Sequence, residues 1–208
     1  MVFEHGLCAQ NKKGERTTPS QCGRMDQCCA YGPRPVIMEF DGDRVRSREL
    51  EFGPNASSLY LVIVDLDKAK DTKLILSDLN RCFAADKLTD SADALSLGVR
   101  RLFGDLNLDI TRRAMAAIKN GDLEAVGRLM NEAQAAFRKF AVPASPDQLR
   151  SQWLYRVLSA PSIQKHIFGG KGHGHSHLVM LSVVVQVPWD GLSCSEKFNC
   201  FFEFENVH

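Results

Sequence analysis

Leu59-Tyr60-Leu61-Val62-Ile63-Val64-Asp65-Leu66 is nearly all apolar and rich in β-branched residues. That pattern predicts a central strand buried on both faces. Upstream, the extended runs 35–40 and 43–50 flank Asp41-Gly42, which predicts a hairpin. Downstream the apolar period lengthens to the helical one. Asp71 caps a predicted helix to about Phe83, a second runs from about Ser91 to Phe103, and a third follows Asp109 and stops at Asn120-Gly121. Asp122 caps the next. Its Leu123, Val126, Met130, Ala133, Phe137 and Phe140 step by three or four along one face. Pro143 and Pro146 mark a break, after which 147–160 reads as one helix with Leu149, Trp153, Leu154, Val157 and Leu158 inward. Ile167-Phe168 leads into a predicted glycine-rich turn, Gly169-Gly170-Lys171-Gly172-His173-Gly174, and 178–187 reads as a strand. The order predicts an α+β fold with helices against one face of a small sheet.

Composition narrows the function. The 208 residues are 44% hydrophobic and 25% charged, enough to bury a real core in one large domain or two small ones. With 26 basic against 25 acidic residues, the net charge of +1 argues against a strongly basic nucleic-acid binder and an acidic tail protein. No apolar run reaches the ~20 residues of a membrane-spanning helix; the stretch from Leu178 to Pro188 is interrupted by Ser182 and Gln186. Met1 to His5 lacks the basic start and apolar core of a secretory signal. With an odd seven cysteines, this predicts reduced thiols and a cytoplasmic protein. Neither nucleic acid nor membrane is expected as a partner; oligomeric state is not legible.

The most informative stretch for chemistry is Gly14-Glu15-Arg16-Thr17-Thr18-Pro19-Ser20-Gln21-Cys22-Gly23-Arg24-Met25-Asp26-Gln27. Pro19 and Gly23 mark a tight turn, and Ser20 can bond nearby backbone. Glu15 and Asp26 flank it, eleven residues apart. Two carboxylates so placed can serve as a metal ligand and a proton acceptor, the division of labour phosphoryl transfer requires. Spacing alone favours the plainer reading of two acids that cap turns.

The run 19–27 resembles the Ser/Cys-Gly-x-Met-Asp-Gln segment of galactokinase-type sugar kinases, and 14–26 is similar to the Gly-Glu-Arg…Pro-Ser-Gly-x-Asp segment of mevalonate kinases. Both belong to the GHMP small-molecule kinases, named for galacto-, homoserine, mevalonate and phosphomevalonate kinases. Tyr31-Gly32 before a hairpin, Leu61 to Asp65 leading to Asp71-Thr72, and the glycine run at 169–174 extend the likeness over about residues 10–174. The resemblance implies a GHMP kinase C-terminal, ferredoxin-like domain at 59–177, a remnant of the N-terminal kinase domain at 1–58 and an atypical tail at 178–208. It implies ATP and Mg²⁺ as cofactors and transfer of phosphate to a hydroxyl of a small metabolite. Met25-Asp26-Gln27 points to a sugar; a mevalonate-type acceptor is the alternative. It implies Asp26 as catalytic base, Glu15 as magnesium ligand, Arg24 and Asp71 at the substrate, and Gly169, Gly170, Lys171 and Gly172 at the triphosphate.

The family's Pro-x-x-x-Gly-Leu-x-Ser-Ser-Ala nucleotide loop, whose N–H groups cradle phosphate at a helix start, has no match in this sequence. The chain thus reads as a C-terminal piece of a kinase, with a non-catalytic remnant as the rival class. From about His173 the sequence departs from the family. A reading-frame change or altered splice there would produce that; an unbroken frame in the transcript with the same tail in homologues would overturn it. His173, His175 and His177 would share one strand face, yet a polar glycine turn accounts for them without zinc. Cys22, Cys28 and Cys29 lack paired zinc-site spacing and read as structural thiols. Lys68, Lys70, Asp71 and Thr72 fit a substrate-facing loop or a solvated loop with a helix cap equally well.

Overall fold

The computed structural model describes residues 36–41, 44–53, 61–65, 71–84, 93–175 and 178–185. Strands β1 (Val36–Asp41) and β2 (Arg44–Glu49) form the expected antiparallel hairpin, with Asp41 opposite Arg44. Strands β3 (Leu61–Asp65), β4 (Ile167–His175) and β5 (Leu178–Val185) form a second antiparallel sheet in the order β3-β5-β4. Helices fill the interval between β3 and β4, so the architecture is the mixed α+β one.

Two strand expectations are corrected. Among the described strands β3 lies at an edge of its sheet rather than its centre, and Leu61 and Ile63 are about half exposed. Alternation explains this: Val62 and Val64 turn inward against Leu154, and the outward positions are also apolar, so the run looked two-sided. The glycine run is not a turn. It lies within β4, opposite Val179 to Val184 of β5, with a register irregularity between Ile167 and Gly169. Neighbouring β5 supplies a ladder partner that local composition does not reveal.

Four of the described helices begin where short acidic or hydroxyl side chains accept orphan N–H groups. Asp71 Oδ1 accepts from Leu74 N at 3.0 Å to start α1 (Thr72–Arg81), and Asp93 Oδ1 from Ser96 N at 2.8 Å to start α2 (Ala94–Arg101). A π-helical segment, Leu102–Leu106, carries the chain with a kink at Gly104 into α3 (Asn107–Asn120). Gly121 ends α3 in the left-handed region at φ 73°, where a Cβ would be strained. Asp122 Oδ1 then accepts from Ala125 N at 2.8 Å and starts α4 (Leu123–Phe140), the longest described helix.

The single helix expected over 147–160 is two. Beyond a 3₁₀ turn (Val142–Ala144), α5 (Pro146–Leu149) ends at the extended Arg150. The Ser151 hydroxyl then accepts from Leu154 N at 3.3 Å and restarts the chain as α6 (Gln152–Ser159). The restart resets the helical phase. Leu154 is buried, but Trp153, expected inward, is 53% exposed under the Arg156 guanidinium, 4.7 Å from its ring. α7 (Pro161–Gln164) leads into β4.

Ile110 and Ala117 of α3 pack with Val126 and Leu129 of α4 in the main core, and Leu154 of α6 packs with Val62, Val64 and Ile167 beneath the sheet. Full burial of such side chains is worth about 1.5–3 kcal/mol each. The polar face of α3 is tied to α4 by Arg113, whose guanidinium donates to both carboxylate oxygens of Glu132 and, by that hydrogen bonding first, holds the Glu132 carboxyl below its ordinary pKa.

Candidate functional site

The site is built where α4 meets β4. Gly127 and Gly169 bring their backbones into direct contact: a Cβ on Gly169 would stand 1.9 Å from the Gly127 carbonyl oxygen, and one on Gly127 2.3 Å from Phe168 Cβ. Only glycine fits both positions. This approach brings two amide side chains, three residues apart and so on one face of α4, against the strand. Asn131 Oδ1 accepts from Gly170 N at 3.0 Å and Gln134 Oε1 from Gly172 N at 2.9 Å. Alternate N–H groups of a strand point to one side, and β4 is an edge strand. The helix therefore satisfies donors that the sheet leaves over.

Lys171 lies between those two glycines. It is partly buried, and desolvation lowers its pKa from the ordinary lysine value. Among the described residues no carboxylate pairs with it. An ammonium held away from water with no counter-ion suits an arriving anion.

On the other side of the two amides, an open cleft of about 430 Å³ lies between α4 and α6, lined by Asn131, Gln134, Arg138, Lys139, Tyr155 and Leu158 among others. The Arg138 guanidinium carbon is 4.4 Å from the Tyr155 ring centroid, within cation–π range. Among the described residues no carboxylate lines this cleft.

The predicted site residues fall as follows. Gly169, Gly170, Lys171 and Gly172 share β4. Because the N–H groups of Gly170 and Gly172 are already bonded to α4, what the strand offers a phosphate is the Lys171 ammonium rather than a free backbone cradle. Asp71 caps α1, and its own N–H donates to Gln148 Oε1 at 2.8 Å, tying α1 to α5. Beside it, the Thr72 hydroxyl is buried without a hydrogen-bond partner. Asp26, Glu15 and Arg24 lie outside the described residues, as do Cys22, Cys28, Cys29, Lys68, Lys70 and His177. Among the described residues, no group of three His, Cys, Asp or Glu side chains could hold a metal, and no helix is long and apolar enough to cross a membrane.

Sequence reasoning passed over Asn131, Gln134 and the Arg138–Tyr155 pair. One signal was present: Gln134 stands eight residues after Val126, within the apolar stripe of α4, and a glutamine there needs a buried partner.

No protein-family model matches the chain, and no curated protein matches it. Among solved structures it is similar to L. major mevalonate kinase in complex with R-mevalonate, with a TM-score of 0.63 at 18% identity. The match covers 96% of this chain and 53% of that one, so this chain spans about half the length of that kinase. At this identity the shared property is the fold alone.

Proposed function

We propose that the chain is part of an ATP-dependent small-molecule kinase that phosphorylates a hydroxyl group. The observation that carries this reading is the fold shared with a mevalonate kinase along nearly the whole chain. Lys171 supports it from the site: its partly buried ammonium fits an anionic ligand. ATP supplies the transferred phosphoryl group. Lys171 neutralises charge on its phosphates, Asp26 orients the acceptor hydroxyl or takes its proton, and Glu15 holds Mg²⁺. The C-terminal-domain, ferredoxin-like reading belongs to this proposal, as does a soluble cytoplasmic setting. The acceptor is R-mevalonate, by likeness to a kinase solved with it, or a sugar, by the Met25-Asp26-Gln27 segment.

A second reading is a non-catalytic relative of these kinases. It is favoured by one observation: Gly170 and Gly172, in the glycine run that would flank a triphosphate, have no backbone N–H left to give.

Calorimetry with ATP and Mg²⁺ separates the two. The kinase reading expects binding that weakens by about tenfold in Lys171→Met, a loss of about 1.4 kcal/mol. It also expects phosphate transfer to R-mevalonate or galactose that Asp26→Ala abolishes. A folded chain that binds no ATP would overturn it in favour of the non-catalytic reading.

A further inference from the structure

We propose that the cleft between the C-terminal half of α4 and α6 binds a small organic phosphate, its phosphate at Arg138 and Lys139 and its apolar body against Tyr155 and Leu158. This is a second anion site, apart from Lys171, which does not line the cleft.

The polar inventory points one way. Arg138 and Lys139 can only donate. Asn131 and Gln134 each have the carbonyl oxygen engaged by a β4 N–H, so their NH₂ groups are the free capacity they bring. Beyond the second lone pair of each amide oxygen, the Tyr155 hydroxyl is the acceptor among the described lining side chains. A cleft so lined is complementary to an anion, and four donor groups exceed what a single carboxylate would use.

The charges here are also placed unlike their neighbours. Arg128 of α4 has Glu124 four residues before it and pairs with that carboxylate, and Arg113 of α3 pairs with Glu132. Four residues before Arg138 and Lys139 stand Gln134 and Ala135. Among the described residues neither cation has a carboxylate partner. The helix dipole favours cations in a last turn, but it does not account for the aromatic shelf beside them.

The cleft is also ordered in advance. The Tyr155 ring holds the Arg138 guanidinium, and β4 fixes the two amides, so a ligand meets donors whose freedom is already reduced. Its volume of about 430 Å³ falls within the range of small-ligand sites, about 300–1,000 Å³.

The test uses the full chain and phenyl phosphate, with phenol and inorganic phosphate as partial probes, followed by calorimetry. Phenyl phosphate is expected to bind about tenfold or more tightly than phenol. Arg138→Gln and Lys139→Gln should each weaken it by about tenfold, while Tyr155→Leu should weaken phenyl phosphate more than inorganic phosphate. Lys171→Met should leave binding unchanged, which separates this cleft from the ATP proposal. Unfolding midpoints of the exposed-charge variants verify that they fold. No binding by the wild-type chain, binding indifferent to Arg138 and Lys139, or binding lost in Lys171→Met would each overturn the proposal.

Discussion

Gly127 sits inside α4, where alanine ordinarily stabilises a helix by about 1 kcal/mol relative to glycine. Here the sign reverses. The new Cβ would meet Phe168 Cβ at 2.3 Å and the Gly169 nitrogen at 2.7 Å, and backbone cannot step aside as a flexible side chain can. Gly127→Ala is expected to destabilise the fold by at least about 2 kcal/mol in urea titration; a neutral result would mean α4 and β4 do not touch backbone to backbone. Lys171 makes the opposite prediction. Its protonated form is penalised in the fold by desolvation, so Lys171→Met should raise stability at neutral pH. A base whose folded pKa is lowered carries its full penalty below that folded pKa, and the penalty vanishes as pH passes the unfolded value near 10.5. The gain from methionine should therefore fade as pH rises into that range. Better stability with weaker ATP binding would mark Lys171 as a functional residue held at a cost; unchanged stability would show that the ammonium is not desolvated.

At the scale of elements, the pairing of α4 with β4 depends on two amides acting as a substitute strand. Removing the Gln134 side chain leaves Gly172 N–H without its acceptor. Gln134→Ala should cost about 1–3 kcal/mol, and the Gly172 amide should lose protection in hydrogen exchange while those of α3 keep theirs. Equal loss in both would mean the helix pair itself had opened. The parts readable in advance were those that short-range chemistry decides: the caps at Asp71 and Asp122, the stop at Gly121, the stripe of α4 and the hairpin. The glycine run misled because its strand identity is conferred by β5 and its glycines by α4, both remote in sequence. Ser151 misled because a hydroxyl able to restart a helix looks like any serine within one. Asn131 and Gln134 could be identified as candidates only once β4 had a place beside them. For Asp26, Glu15 and Arg24, the sequence argument stands by itself.

For the molecule as a whole, β3 shows an apolar face to its surroundings. Leu61 and Ile63 share the face of β3 turned away from Leu154, and Phe52 is also exposed. Contiguous apolar surface of this kind binds hydrophobic dyes and partners. Replacing Leu61 and Ile63 together by threonine puts a β-branched side chain at each position. It should lower dye fluorescence while moving the unfolding free energy by no more than about 0.5 kcal/mol per site. A large loss of stability would instead show that these two side chains are covered in the folded chain.

The order β3-β5-β4 gives the sheet two unlike sides. Along β4, the leftover donors at Gly170 and Gly172 are already matched by α4. Along β3, no described residue plays that part. Within this sheet, a second copy seeking backbone partners would find them along β3 rather than at Gly170 and Gly172, and so would the copy it meets. Such an encounter joins β3 to β3 and leaves outward two β4 margins whose Gly170 and Gly172 donors are already taken. Self-association through this three-stranded sheet is thus self-limiting: joined at β3 it favours a pair, where a sheet with two open margins would continue into a fibre.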